Sequence, residues 1–405
     1  MEPSRYKSIC IPFESEGHYE ACVEDLAMFR AYIDSVRGQH PELFPAAMKL
    51  GFEFHDRYWS VKQQVVLRRI KVKATGQVFQ IRPSFLLPYM VARTEEVEKA
   101  LYLRQWGVPF DALAYVFGRD AMFWYRAWVA FGHASVVGTT VKTAEALPAH
   151  LVVDEKHTWV AGEKVYVPTT VAEGCLLGAT VVTDASTEAL EDGYGEFAAE
   201  ARRLDADYHP QTVCADGWKA TWEAWKRLFP TITVILCFLH RVLKIQDRCR
   251  GARRHLLTEK AWHVYQAATK SQLAQRLRRF RQWTMTHLDQ GPVREAVLKL
   301  CHFKPRFLLA YDFPHAHRTS NAVDRLLNHL DRWLYQMRYF HATTARARLA
   351  IRAMALLWNF HPYGPRLQRR DPSRASPFAD LNGFQYHTNW LHNLLIASSL
   401  GGWNL

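Results

Sequence analysis

Apolar positions along this chain recur with two periods, and the switch between them marks out its elements. From Arg69, RIKVKATGQVFQI alternates apolar with polar around Thr75-Gly76 and predicts a β-hairpin. Thr94 to Phe131 changes to helical spacing. Thr94 is placed to cap a first helix with Glu95 and Glu96 in its first turn, and Val97, Ala100, Leu101 and Trp106 form its stripe. Gly107 to Pro109 breaks that run, Phe110–Phe117 predicts a second helix, and Gly118 turns into a third over Ala121–Phe131. Three short strands follow in LVVDEKHTWV, YVPTTV and CLLGATVV, then a helix from Thr187 to Leu204. TVCA predicts a strand ending at Asp216. Trp218, Trp222, Trp225 and Phe229 then recur at helical spacing, and TITVILCFL reads as a strand buried on both faces. Residues 241–310 are helical in pattern nearly throughout, and Val323, Leu327, Leu330 and Leu334 mark the buried stripe of a later helix.

A meander of three strands, then helix, strand, helix and strand, argues for an α/β domain with its chemistry at the carboxyl ends of the strands. Asp154 and Asp216 stand at such ends. Acids on the first and fourth strands follow the pattern of the ribonuclease H-like fold, in which those two strands lie side by side. The helical run 241–310 would then be an insertion. The chain divides into a mixed N-terminal region with the hairpin (1–93), the three helices (94–146), a first part of the catalytic core (147–240), the insertion (241–310), a second part of the core (311–362) and a basic tail (363–405). Its Pro-rich stretch 361–380 reads as a linker or an arm on DNA, and 381–405 predicts one short amphipathic helix.

Charge then points to a partner. The net charge is +13, unevenly placed: residues 1–240 hold 25 Lys+Arg against 30 Asp+Glu, residues 241–310 hold 16 against 4, and residues 311–405 hold 11 against 5. A basic excess confined to one side of a chain suits a polyanion. Nucleic acid fits better than membrane, because no apolar run approaches the ~18 residues of a spanning helix. MEPSRYKSIC has no apolar signal core, and seven scattered cysteines without a CxxC pair suit a reducing cytoplasm.

The three short helices resemble a helix-turn-helix module whose last helix enters the major groove, with Arg119 and Arg126 able to reach DNA. The bland reading is a small helical core. In the insertion, Leu273, Leu277, Phe280 and Leu288 form one stripe and Arg276, Arg278, Arg279 and Arg281 occupy the rest, either a solvated face or a phosphate-tracking one. Trp262 and Trp283 pack in a core or stack an unpaired base. Arg68, Arg69, Lys71, Lys73 and Arg82 around the hairpin touch phosphates or line a solvated ribbon.

Four features together resemble a family: Asp154 in VVDEKHTW, Asp216 in CADGW, the pair Cys237-x-x-His240, and RTSNAVDR around Asp324. The chain resembles the DDE-type transposases of the Mutator-like kind, which include many bacterial insertion-sequence enzymes. Thr319, Asn321, Ala322 and Val323 match in order the run that precedes the third acid of that family. The likeness covers about residues 150–360. At 324 the family has Glu and this chain has Asp; Asp331, two turns on, is the rival third acid.

The resemblance implies DNA strand cleavage and strand transfer with Mg²⁺ or Mn²⁺, two ions held by Asp154, Asp216 and Asp324. It implies duplex DNA (transposon ends and target) as partner, a homodimer or larger assembly on that DNA, and a place in a bacterial cytoplasm beside the nucleoid. His240 would contact phosphate or orient a catalytic group; a zinc site at Cys237 and His240 would need two further ligands. The competing expectations are a domesticated, inactive DNA-binding protein, or a metal-dependent nuclease without strand transfer.

Overall fold

The computed structural model describes residues 7–88, 90–336, 340–341 and 343–403, and these form a mixed α/β protein with two sheets. The first sheet holds β1 (Ser8–Ile11), β2 (Phe52–Ser60), β3 (Val65–Val72) and β4 (Val78–Pro83) in the order β1-β4-β3-β2. The predicted hairpin is its β3–β4 pair, with Lys71 opposite Val78 and Gly76 in the left-handed region at φ 67°. The sheet reaches further than the alternation shows, because β1 pairs with β4 in parallel from the far end of the region. Helices Glu16–Glu24 and Leu26–Gln39 cover it, capped by Ser15 Oγ and Asp25 Oδ1.

The basic residues of this ribbon are mostly taken up within the protein. Arg68 and Arg82 are buried, donating to the carbonyls of Val23 and Leu86. Arg69 is paired with Asp56, and Lys71 lies 3.7 Å from Glu53. Leu67 and Arg68 are both buried on β3, and the neighbouring strand β2 carries a register shift between Phe54 and Asp56. Of the five basic residues around the hairpin, Lys73 is exposed, and Arg69 and Lys71 are paired at the surface.

Three helices follow at Thr94–Gln105, Phe110–Phe117 and Ala121–Val129, the last continuing as a 3₁₀ turn to His133. Thr94 is not the cap: Arg93 holds that place, and the buried Thr94 hydroxyl donates to the Ser84 carbonyl. Arg104 is buried among the rings of Phe110, Trp128 and Trp333, 4.2, 5.3 and 4.8 Å away. Trp333 belongs to the helix Asn321–Gln336. The three-helix module thus shares a core with the C-terminal half.

The second sheet holds β5 (His150–Val160), β6 (Glu163–Ala172), β7 (Cys175–Ala179), β8 (Thr212–Ala215) and β9 (Thr233–Leu236) in the order β7-β6-β5-β8-β9. β5, β6 and β7 run antiparallel; β5, β8 and β9 run parallel. Both hairpins turn on a residue pair with positive φ, Ala161-Gly162 and Glu173-Gly174, whose twist matches that of the strands. Helices Thr187–Leu204 and Lys219–Leu228 enclose Tyr194, Phe197, Trp225 and Phe229 in an aromatic core against the sheet. After β9 come Phe238–Gln246 and four helices, Gly251–Tyr265, Lys270–His287, Pro292–His302 and Lys304–Leu308, with a core of their own around Leu257, Leu277, Phe280 and Leu300.

The helix Thr344–Phe360 crosses the molecule. Its Arg352 pairs with Glu196 and Glu200, and donates to the carbonyls of Gly132 and Ala134. Glu200 in turn accepts from Ser135 Oγ and Val137 N. One buried guanidinium so joins three segments.

Residues 363–403 are not a free arm. They form helices at Pro365–Arg370, Pro377–Asn382 and Trp390–Ala397, and the last is buried on every side. Ser399 Oγ accepts from Cys10 N and donates to the Leu43 carbonyl, His392 bonds to Ser84 and Glu95, and the Lys142 ammonium donates to the Ala397 carbonyl. Only the short stretch with Arg366, Arg369 and Arg370 remains exposed and basic. No helix among the described residues is long and apolar enough to cross a membrane.

Candidate active site

The parallel pairing of β5 with β8 brings the first two acids to one edge. Residues His150 to Val152 lie opposite Thr212 to Cys214, so Asp154 sits just past the paired stretch and Asp216 just past the end of β8. Beyond β9, Cys237 starts the helix that carries His240. The helix Asn321–Gln336 brings Asp324 in its first turn from the other half of the chain. Ligand atoms of Asp154, His240 and Asp324 lie within 4.8 Å of one another, with His240 Nε2 3.9 Å from Asp154 Oδ2. Asp216 stands outside that trio, its Oδ1 accepting from Trp218 N at 2.7 Å.

The electrostatics suit a cation. Burial raises the Asp154 carboxyl to about 6, with His240 pulling the other way. Burial also raises Asp324. The Cys237 sulfur, and then Asp154 and Asp216, hold the His240 ring protonated up to about 9 against its burial. Two half-buried carboxylates facing one point favour positive charge there, supplied by the His240 imidazolium while no ion is bound; a metal ion would take its place only as the ring gives up that proton. Their oxygen and nitrogen donors fit Mg²⁺ or, better, Mn²⁺.

Cys237 is explained by packing. Its sulfur accepts from Ser320 N at 3.1 Å and lies 3.3 Å from Ser320 Oγ, while Phe238 N donates to the Arg318 carbonyl. These bonds dock the segment before Asp324 onto the end of β9. Among the described residues the trio of Asp154, His240 and Asp324 could hold a metal, while Cys237 fastens the two segments together. Asp331 is accounted for by its ion pair with Lys156, 2.7 Å away.

Three residues near the site escape a reading of motifs. Glu155, raised to about 7 by burial, accepts from Tyr194 and Thr221 at 2.6 Å each and braces β5 against two helices. Arg241 is buried with its guanidinium against Gly217, where a methyl group would meet Nη2 at 1.8 Å, and so lies beside the Asp216 turn. Ser320 links Cys237, His240 and Asp324. The only hint of Arg241 in the sequence is its place directly after His240.

The residues singled out for DNA lie apart from this edge in the chain. Arg119 has φ 62°, lies 3.7 Å from Glu96 and covers the Phe123 ring; Arg126 is exposed. The helix that carries Arg126 buries Trp124, Ala127 and Trp128. In the insertion Arg278, Arg279 and Arg281 are exposed, and Arg276 donates to the His263 carbonyl. Leu273, Leu277 and Phe280 are buried as the stripe predicts, with Thr284 completing it, since Leu288 ends the helix. Trp262 packs on Tyr265, and Trp283 stacks on His287 under the Lys260 ammonium. Truncating Arg276, Arg278, Arg279 and Arg281 together is expected to weaken DNA binding and reduce its salt dependence by about one unit of slope per lost phosphate contact. A binding titration across salt concentrations reads this directly, and an unchanged slope assigns the four arginines to solvent.

A scan against protein-family models finds no match to this chain, and a search of curated proteins finds no similar sequence.

Proposed function

We propose that this chain is a DDE-type transposase of the Mutator-like, insertion-sequence kind, with a ribonuclease H-like catalytic domain interrupted by a basic helical insertion. The observation that carries the reading is the meeting of Asp154, His240 and Asp324 at one sheet edge, with Asp216 on the neighbouring strand end. The strand order supports it, three antiparallel strands followed by two parallel ones, with Asp154 within the first and Asp216 just past the fourth. The insertion supplies the positive surface such a substrate requires.

When bound, divalent ions would lend the site Lewis-acid activation of a phosphodiester and of its attacking oxygen. Asp154 and Asp216 would hold one ion, and Asp324 and His240 Nε2, with Asp154 beside them, would hold the other. In cleavage, water oxygen bonds to phosphorus as the bond to the 3′ oxygen breaks, leaving a 3′-hydroxyl. In joining, the oxygen of that hydroxyl bonds to a target phosphorus as the target's own bond from phosphorus to 3′ oxygen breaks; the attacking hydroxyl loses a proton and the leaving 3′ oxygen takes one up. The protein's own part is to hold these groups in line and to neutralise the flanking phosphates.

The second reading, a domesticated DNA-binding protein, is favoured by Asp at 324. Against it, Asp324 reaches the trio and is held by a hydrogen bond from Ser320 Oγ at 3.1 Å. The test is a cleavage and strand-transfer assay, in Mg²⁺ and in Mn²⁺, on DNA carrying the repeats that flank the gene. Joined products are expected. Binding without products supports the domesticated protein, and cut but unjoined products support a nuclease. In the same assay Asp324→Ala is expected to be inactive, and Asp324→Glu to lose roughly 100-fold, because the extra methylene displaces the carboxylate by an ångström or more. A gain of activity in Asp324→Glu would mark a decayed enzyme.

A further inference from the structure

Ser320 occupies the variable place in the run Thr319-Ser-Asn321, yet it is fully buried and sits among Cys237, His240 and Asp324 where the two halves of the site meet. Its backbone is fixed at both ends. Ser320 N donates to Cys237 Sγ at 3.1 Å, and its carbonyl accepts from Asp324 N at 2.9 Å. Its hydroxyl meets three partners: Asp324 Oδ2 at 3.1 Å, Cys237 Sγ at 3.3 Å and His240 Nδ1 at 3.4 Å.

One arrangement of the hydrogen bonds suits a metal-bound site, with the Cys237 sulfur as a second neighbour of the His240 ring. A hydroxyl has one proton to give and two lone pairs to receive. The Asp324 carboxylate only accepts, so the Ser320 proton goes to Oδ2. The lone pairs then receive the Cys237 S–H and the His240 Nδ1–H. With Nδ1 carrying the ring proton, Nε2 presents its lone pair on the side that faces Asp154, 3.9 Å away. A serine just before a helix usually accepts from a first-turn N–H. Here its hydroxyl is turned to a carboxylate and an imidazole instead.

We propose that Ser320 is a positioning residue that sets the His240 tautomer and the Asp324 carboxylate together, so that the site takes a divalent ion through one ring nitrogen and two carboxylate oxygens. Hydrogen-bonded partners of this kind fix which ring nitrogen is the ligand. A mixed nitrogen and oxygen set selects Mn²⁺ over Mg²⁺, which prefers oxygen alone. This inference rests on the metal-site reading above.

The experiment is calorimetric titration of the full-length protein with Mn²⁺ alone, for wild type, Ser320→Ala, Ser320→Cys and Ser320→Thr. Wild type is expected to bind, Ala and Cys to bind roughly 10- to 100-fold more weakly, and Thr, which keeps the hydroxyl, to match wild type. The Cys variant stands in should the smaller Ala fail to fold. With DNA, the same loss is expected in the Mn²⁺ concentration giving half-maximal cleavage, with the KM for DNA unchanged. If wild type binds and Ala or Cys binds equally well, the proposal fails while the metal site stands. A Thr variant as weak as Ala also overturns it, because size and not the hydroxyl would then matter. If wild type itself binds no Mn²⁺, the metal-site reading falls first.

Discussion

Asp154→Asn is expected to abolish DNA cleavage, by at least roughly a thousandfold, while leaving duplex binding within a few-fold. Even outer partners of metal ligands cost 10- to 100-fold when removed, so a ligand itself should cost more. The amide keeps the shape and the place on β5 but loses the charge that faces His240 and Asp324. Asp216→Asn is expected to behave alike in cleavage, because an amide oxygen still accepts from Trp218 N and preserves the turn. Asp154→Asn should also change stability. Burial raises the folded Asp154 carboxyl from 3.8 to about 6. A carboxyl raised on folding favours the fold while protonated, below its unfolded value, and that contribution is lost as pH climbs through the folded value. At pH 7 the metal-free protein therefore carries a penalty, at most about 3 kcal/mol at 1.36 kcal/mol per unit, that Asn removes. Thermal melts of metal-free Asp154→Asn and wild type should show the variant more stable at pH 7 and the gap closing near pH 4. Cleavage by either variant at near wild-type rate in Mg²⁺ would show the assignment to be wrong.

Arg352→Leu is expected to cost about 3–5 kcal/mol, the usual effect of removing one partner from a buried ion pair. The side chain is 9% exposed and its partner Glu200 6%. Removing the guanidinium strands the Glu200 charge and leaves the carbonyls of Gly132 and Ala134 without their donor. Against a total stability of about 5–15 kcal/mol, such a loss threatens folding at ordinary temperature. Urea unfolding measures it. Because an uncompensated charge is the main cost, Arg352→Leu combined with Glu200→Leu should recover a large part of the loss. A single variant with an unchanged urea midpoint would mean that water or another group already satisfies Glu200.

The order of strands in the second sheet was legible because β5, β6 and β7 follow one another with turn residues between them, while β8 and β9 are short apolar runs separated by a helix. Asp154, Asp216, Cys237, His240 and Asp324 stood out through their order along the chain. What periodicity missed lies in non-local pairing. β1 is four residues long and finds its partner only in β4. Arg68 falls on the inward face with Ile70 and Val72, where its guanidinium finds the Val23 carbonyl, a partner that no local pattern shows. Ser320 was hidden because its role depends on an 83-residue separation from Cys237. The segment WLHNLLIA reads as a surface amphipathic helix only if one face is imagined wet, and the fold wets none of it. Asp331 would have remained an alternative ligand without the sight of Lys156 across from it.

The bonds from Ser399 to Cys10 and Leu43, and from His392 to Ser84 and Glu95, have a consequence for how the protein is made. The first sheet and the three helices behind it emerge early from the ribosome, yet part of their core is supplied by Leu391, Leu394, Leu395 and Ile396. Contacts between residues so far apart in the chain close late and slowly, after the whole intervening sequence has been synthesised. A truncated product therefore leaves the amino-terminal layer unfinished, with apolar surface open to chaperones and proteases. Quality control is written into the topology: the front of the molecule matures only when its last helix arrives.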